Sequence, residues 1–464
     1  MYIFDSVKKQ KLKFTPQNPP KVTMYVCGPT VYDDAHLGHA KSALVFDLLH
    51  RVLEANGYEV TYAKNITDID DKIIKRALEL NISTQELAQK YTKAYHDEMS
   101  KLGVKRADLE PKATENLEAI FDLIKKLLEK NHAYRVSSGD IYFDTASDSK
   151  YLSLSHRVQN EEDKKQRVEG DKEKKNSADF ALWKIAKDDE VSFDSPFGAG
   201  RPGWHIECSA MIDEHLADKN SEFAIDIHGG GADLLFPHHE NEAAQSRCAT
   251  GQNLAAYWVH NGFVTINNEK MSKSLGNSFF LKDALKHYDG EVLRFYLLSV
   301  HYRANFNFSY EDLDEAKKRL DKLYRLKKRV FNLSFESKKT EFKDRLLEAL
   351  NDDLNISEAL AIVDEMINSS NEALDKKDKT IKDELLSNLE FVEKLLGFGG
   401  QNPYEYFQHG ISDEQKTKID ELIAKRVEAK KAKDFTLADA IRDELSALGI
   451  AIMDTPDGTF WERA

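Results

Sequence analysis

Val22-Thr23-Met24-Tyr25-Val26-Cys27 is a strand-like apolar run, and it leads through a short loop to His36-Leu37-Gly38-His39 and on to the helical-looking Ala40–Asn56. A strand, a loop and a helix in that order make the first half of a parallel-sheet unit. The loop delivers two histidines and Gly38 to a helix N-terminus, where unpaired N–H groups and the helix dipole both favour negative charge. About 230 residues further on, Lys270-Met271-Ser272-Lys273-Ser274 follows the strand-like Trp258–Ile266. It sets two ammonium groups and two hydroxyls on one loop. Singly, each motif has a plain reading: a glycine beside a histidine is ordinary capping, and a Lys/Ser loop is a solvated turn. Both together, each after a strand-like run, predict a site for ATP that is not a Walker loop.

Working outward, Val22–Cys27 and Glu59–Lys64, each tied to a helical pattern, predict a doubly wound parallel α/β sheet from about residue 20 to 300. Glu115 to about Gly200 interrupts it with a helical start, a strand near Ile141–Phe143 and the charged tract Glu161–Asn176, read as an inserted subdomain with a mobile loop. Apolar residues at helical spacing from Leu313 to Leu396 predict a bundle. Gly397-Phe398-Gly399-Gly400 then ends the last helix and leaves a hinge. Ser412–Ala464 reads as two helical stretches and two short strands about a Thr455–Gly458 turn. The expected division is a split Rossmann-like catalytic domain (1–114 and 200–310), an inserted subdomain (115–199), a helical bundle (311–397) and a small α+β domain (402–464).

The chain has three cysteines, Cys27, Cys208 and Cys248, too few for a disulfide framework. No run approaches the length of a membrane span, and Met1–Phe14 lacks a signal-peptide core, so a cytoplasmic protein is expected. The net charge of −14 is unhelpful to an RNA binder, but Lys317–Arg329 holds eight basic residues against one acidic, and Lys425–Lys433 is a second basic stretch. Each serves equally as a solvated helix face.

Phe236-Pro237-His238-His239-Glu240-Asn241-Glu242 opens an alanine-rich helical stretch. There His238 and Glu242, four apart, share a face, while Glu240 and Cys248 lie well round from it. A Cys27, Cys208, His238, Glu242 set offers zinc two sulfurs, a nitrogen and an oxygen, ligand types it accepts. A buried cysteine is more often an inert small hydrophobe, and Cys248 is read that way. Cys27, by contrast, ends the strand that leads to His36–His39. Ligands at strand ends of an open parallel sheet face the substrate crevice.

The two motifs in this order resemble those of class I aminoacyl-tRNA synthetases. Tyr25–Asp33, Asn65–Lys72, Arg201–Ser209, Asp226–Gly231 and Pro237–Glu242 narrow the resemblance to the cysteinyl-tRNA synthetase family, over nearly the whole chain. That resemblance implies activation of L-cysteine by ATP and transfer to tRNA(Cys), one zinc per chain, magnesium with ATP, and a monomer. It implies zinc on Cys27, Cys208, His238 and Glu242. It assigns His36, Gly38, His39, Lys270, Ser272 and Lys273 to ATP, with the two histidines and two lysines as catalytic residues. Cys27, Thr67, Trp204, His228 and Asp233 would bind cysteine. Asp439 and Asp454 are candidates for reading the anticodon, and Trp461 for closing a small core. Leu37, Lys41 and Phe197 depart from the family's usual isoleucine, arginine and tryptophan, and Lys41 puts a bidentate contact in doubt.

The physical case for zinc is selectivity, because an apolar pocket separates cysteine from serine or alanine by only about 1–3 kcal/mol. A metal instead deprotonates and holds a thiol. Two alternatives stand beside this: a ligase passing activated cysteine to a small amine, which would not need the C-terminal part, and a zinc-containing RNA-binding protein, which would not need an ATP site.

Overall fold

In the computed structural model the described residues are 1–157, 173–187, 191–266, 269–270, 279–455 and 458–463. Four parallel strands form the central sheet in the order Asn253–Asn261, Phe223–Gly231, Lys21–Val26, Glu59–Lys64. Alternate residues of a strand face opposite sides, and Lys21–Val26 divides its neighbours accordingly. Val22, Met24 and Val26 join the core around the helix Leu37–Ala55, whereas Tyr25 and Cys27 join the cluster with Cys208 and Met211 of the helix Trp204–His215. Helices thus cover both faces, as expected for a doubly wound sheet. The order of the strands reverses between Lys21–Val26 and Phe223–Gly231, and a crevice opens there at their C-terminal ends.

The strand-like Trp258–Ile266 is broken in two, Asn253–Asn261 and Val264–Ile266. The cause is Gly262, where a Cβ would meet the Ala304 carbonyl oxygen at 2.4 Å. The second piece leaves the main sheet to pair with Phe306–Phe308 and Glu269–Lys270.

Between the sheet strands lies a separate antiparallel sheet, Ala133–Arg135, Ile141–Phe143, Phe180–Ile185 and Gly200–Pro202. It packs with the helix Leu117–Glu129 in its own apolar cluster, which also takes Cys248. Burial pushes the Cys248 thiol up to about 12, as suits an inert small hydrophobe. Of the charged tract Glu161–Asn176, expected to be a mobile loop, 161–172 lies outside the described residues.

Helices Tyr310–Arg329, Glu341–Asn351, Ile356–Asp375 and Lys382–Leu396 follow. Their apolar faces merge with those of Leu37–Ala55 in one core, so Phe46 and Leu49 share it with Leu346 and Val392. Gly397 ends the last helix in the left-handed conformation, φ +74°. The glycine segment after it is not free to act as a hinge. Buried Glu291 accepts from the N–H groups of Gly399 and Gly400, Lys327 donates to the carbonyls of Gly399 and Gln401, and Phe398 is fully buried. The chain closes with helices Asp413–Lys431 and Phe435–Ala447 and the hairpin Ile450–Thr455/Gly458–Arg463. No described helix is long and apolar enough to cross a membrane.

Candidate active site

The chain that follows the second motif meets the first in space. Leu281 N–H donates to the Ala35 carbonyl at 2.8 Å and Leu37 N–H to the Phe279 carbonyl at 3.3 Å, so the chain leaving the lysine loop pairs with the residues around His36. Lys282 adds an ion pair to Asp34. Ser272 and Lys273 lie outside the described residues. Lys270 ends the strand Glu269–Lys270, opposite Thr265. At the helix start His36 is the N-cap: its Nδ1 accepts from Gly38 N–H at 3.1 Å and His39 N–H at 3.3 Å. His39 Nδ1 accepts from His36 N–H, and the two rings stack 3.7 Å apart. A histidine capping box therefore holds the N–H groups that a phosphate would take.

His36, Gly38 and His39 line a cleft of about 520 Å³. Gly262, Phe263 and Val264 line it too, as do Lys64 and Tyr95, and Cys27, Trp204 and Asp233. Lys64, Tyr95 and Lys72 were not singled out from sequence. Lys64 ends a strand that was legible, but a strand-end lysine carries no motif.

Cys27 joins the cleft to a buried cluster. Cys27 Sγ lies 4.0 Å from Cys208 Sγ and 3.6 Å from Glu242 Oε1, and His238 Nε2 lies 2.9 Å from the same oxygen. Tetrahedral zinc with bonds of about 2.0–2.3 Å sets its ligand atoms roughly 3.3–3.8 Å apart, which these four donors approach. The helical spacing works as the sequence suggested, because His238 and Glu242 share a face. Glu240 turns away to accept from Leu154 and Ser155 N–H.

The electrostatics also ask for a cation. A hydrogen bond from Cys27 lowers the Cys208 thiol to about 6, while burial and Cys208 itself push Cys27 well up. Two thiols in contact cannot both ionise without positive charge between them. Burial opposes protonation of His238, but Glu242 and Cys208 outweigh it and raise the imidazole to about 10. Around the four, His205 Nδ1 lies 2.9 Å from His238 Nδ1, and His228 Nε2 lies 2.7 Å from Glu242 Oε2. Such outer partners orient metal ligands. A second quartet, Cys27, His228, His239 and Glu242, is equally close-set. The buried Nδ1 of His228 and Nε2 of His239 have no hydrogen-bond partner among the described residues.

The residues expected to bind cysteine are distributed unevenly. Trp204 stacks on His238 at 4.1 Å and is 38% exposed on the cleft wall with Asp233. His228 is fully buried, stacked on Trp258 behind Glu242, and Thr67 is 1% exposed with its hydroxyl accepting from Asn65. Neither lines the cleft. Lys41, the departure from the family pattern, is fully buried: Nζ donates to the Ala304 carbonyl at 2.8 Å and lies 5.3 Å from the Phe306 ring centroid.

In the C-terminal module Asp454 is engaged within the fold, accepting from both Arg426 Nη atoms, Lys430 and Thr459. Those bonds hold its carboxyl well below the usual range. Asp439 is exposed. Trp461 is 5% exposed in the module's small core, with Nε1 donating to Asp420. Phe435, which the sequence reading passed over, is 62% exposed on the same helix as Asp439.

Residues 13–318 match the model of the tRNA synthetases class I (C) catalytic domain, 345–399 a DALR domain, and 413–461 the cysteinyl-tRNA ligase anticodon binding domain. The cysteine–tRNA ligase of Sulfurimonas denitrificans is 67% identical, covering 100% of both chains. That of Aliarcobacter butzleri is 60% identical over 100% of this chain and 99% of its own. Among solved structures, Mycobacterium tuberculosis methionyl-tRNA synthetase bound by methionyl-adenylate has a TM-score of 0.61 at 15% identity, over 85% of this chain and 97% of that one. The Agrobacterium radiobacter LeuRS–tRNA–LeuAMS complex has a TM-score of 0.61 at 11% identity, over 85% and 86%. Such distant likeness speaks for the fold alone, whereas the full-length identities and the catalytic and anticodon-binding matches speak for descent, and the chain belongs to the cysteinyl-tRNA synthetase family of class I aminoacyl-tRNA synthetases.

Proposed function

We propose that the chain joins L-cysteine to tRNA(Cys) at the expense of ATP, and that zinc held by Cys27, Cys208, His238 and Glu242 selects the substrate by its sulfur. The observation that carries this is Cys27, which belongs to the four-donor cluster and also lines the cleft that His36 and His39 line. Zinc, when bound, supplies a soft Lewis acid that stabilises a thiolate and gains little from a serine hydroxyl.

The chain's own residues position the rest. Asp233 offers a charge complementary to the substrate ammonium, and Trp204 bounds the side chain. His36 and His39 take the phosphates of ATP, with its magnesium, in place of the capping bonds they now make. Lys270 and Lys273 balance the charge of the departing pyrophosphate. Cysteine carboxylate attacks the α-phosphorus, pyrophosphate leaves, and the acyl group passes to the terminal ribose. Little covalent help is needed, since alignment and charge stabilisation do the work. His228 and Thr67 support the site from behind its wall. Asp439 and exposed Phe435 face the anticodon, whose unstacked bases suit hydrogen bonds and stacking. A cytoplasmic monomer accompanies this function.

Cysteine-dependent exchange of pyrophosphate into ATP tests the assignment of the metal. Cys208→Ser should raise the KM for cysteine far more than the KM for ATP. Equal losses in both would make the metal a structural element instead of a selector.

A further inference from the structure

Resting on that function, we propose that Lys64 and Tyr95 form a two-donor site for a substrate phosphate on the wall of the cleft that Gly262, Phe263 and Val264 also line. Lys64 is the last residue of the edge strand Glu59–Lys64, in register with Val26, and so stands at the C-terminal rim of the sheet. Its Nζ donates to Tyr95 Oη at 2.5 Å and lies 5.2 Å from the centroid of the same ring. Among the described residues no carboxylate pairs with Lys64, although ion pairs elsewhere tie up many of the chain's cations. Tyr95 is 7% exposed and its hydroxyl donates to no described residue.

The chemistry follows from these bonds. Having accepted from the ammonium, the phenol points its own proton elsewhere, and the ammonium keeps two further N–H donors. A cation and a neutral donor side by side, held by a rigid ring and turned to a shared cleft, suit an anion's oxygen atoms. Lys72 repeats the theme on the same cleft, 5.6 Å from the Tyr32 ring centroid. In a chain of net charge −14, this places two cations on the cleft that Asp233 also lines. The phosphate is either one of ATP or that of the terminal nucleotide of tRNA.

Equilibrium binding of labelled ATP and of tRNA, each measured across a salt series for Lys64→Met, Lys64→Arg and Tyr95→Phe, tests the site whichever amino acid is activated. Loss of one charge-assisted contact should weaken one ligand by about 10–100-fold in Lys64→Met. A smaller loss is expected in Tyr95→Phe, and near-recovery in Lys64→Arg. If the loss falls on tRNA, with the log–log salt slope reduced by about one, the phosphate is that of the terminal nucleotide. If it falls on ATP, the phosphate belongs to ATP. Unchanged binding of both ligands by Lys64→Met, or a loss confined to the KM for cysteine, would overturn the proposal. Failure of the proposed function would show separately, as wild-type protein that binds ATP but exchanges pyrophosphate without regard to cysteine.

Discussion

His228 Nε2 lies 2.7 Å from Glu242 Oε2, and both side chains are fully buried. The other oxygen of Glu242 faces Cys27 and His238, so His228 fixes which way the carboxylate presents itself. His228→Ala should therefore cut zinc affinity by about 10–100-fold while leaving the four donors in place. Competition with a chromophoric chelator measures it, and wild-type affinity would remove His228 from the metal's support.

Asp47 is 1% exposed on the helix that begins at His36, and it accepts from Arg294, Arg51 and the Lys105 N–H. Burial alone would raise its carboxyl, but Arg294 and Arg51 outweigh burial and hold it below the usual value. With the folded value depressed, the stabilisation is fully present above the unfolded carboxylate range, near pH 4, and is lost as pH falls through the folded value. Asp47→Ala leaves Arg294 buried and unpaired, and should cost about 3–5 kcal/mol at pH 7. The gap from wild type should narrow as pH falls below about 4 and on through the depressed folded value. Urea denaturation at several pH values reads both effects.

Lys41→Met should lower stability by about 1–3 kcal/mol, since it removes a charge-assisted hydrogen bond to the Ala304 carbonyl. It should leave the KM for ATP nearly unchanged, because the side chain is fully buried and its Nζ is engaged by the Ala304 carbonyl. A large rise in that KM would mean that the lysine turns toward the nucleotide when ATP binds.

Phe435→Ala should raise the KM for tRNA while sparing pyrophosphate exchange. A base stacked on an aromatic ring is worth about 1–3 kcal/mol, so roughly a 5- to 150-fold effect is expected. Charging kinetics at varied tRNA would show it, and an unchanged KM would leave that ring a bystander.

Much of this was legible in the chain because it rests on periodicity and local spacing. Val22–Cys27 and Glu59–Lys64 read as strands since their apolar content has no helical period, and His238 and Glu242 meet because four residues make about one helical turn. What sequence hid depends on long-range packing. Gly262 breaks a strand only because the Ala304 carbonyl approaches it, and the glycines after Leu396 are pinned by Glu291, about a hundred residues away. Depth is equally invisible: His228 and Trp204 look alike as pocket candidates, yet one is buried behind Glu242 and the other forms the wall. Asp454 was weighed as a base reader, but Arg426 approaches it from a helix 28 residues earlier.

The most direct test is charging of total tRNA by the purified, zinc-loaded protein with labelled cysteine and, in parallel, labelled serine. Cysteine should be incorporated in an ATP-dependent manner, serine should stay at background, and removal of zinc should abolish the cysteine signal. Comparable charging by serine, or cysteine charging that persists at full rate without zinc, would contradict selection of the substrate by a metal-held thiolate.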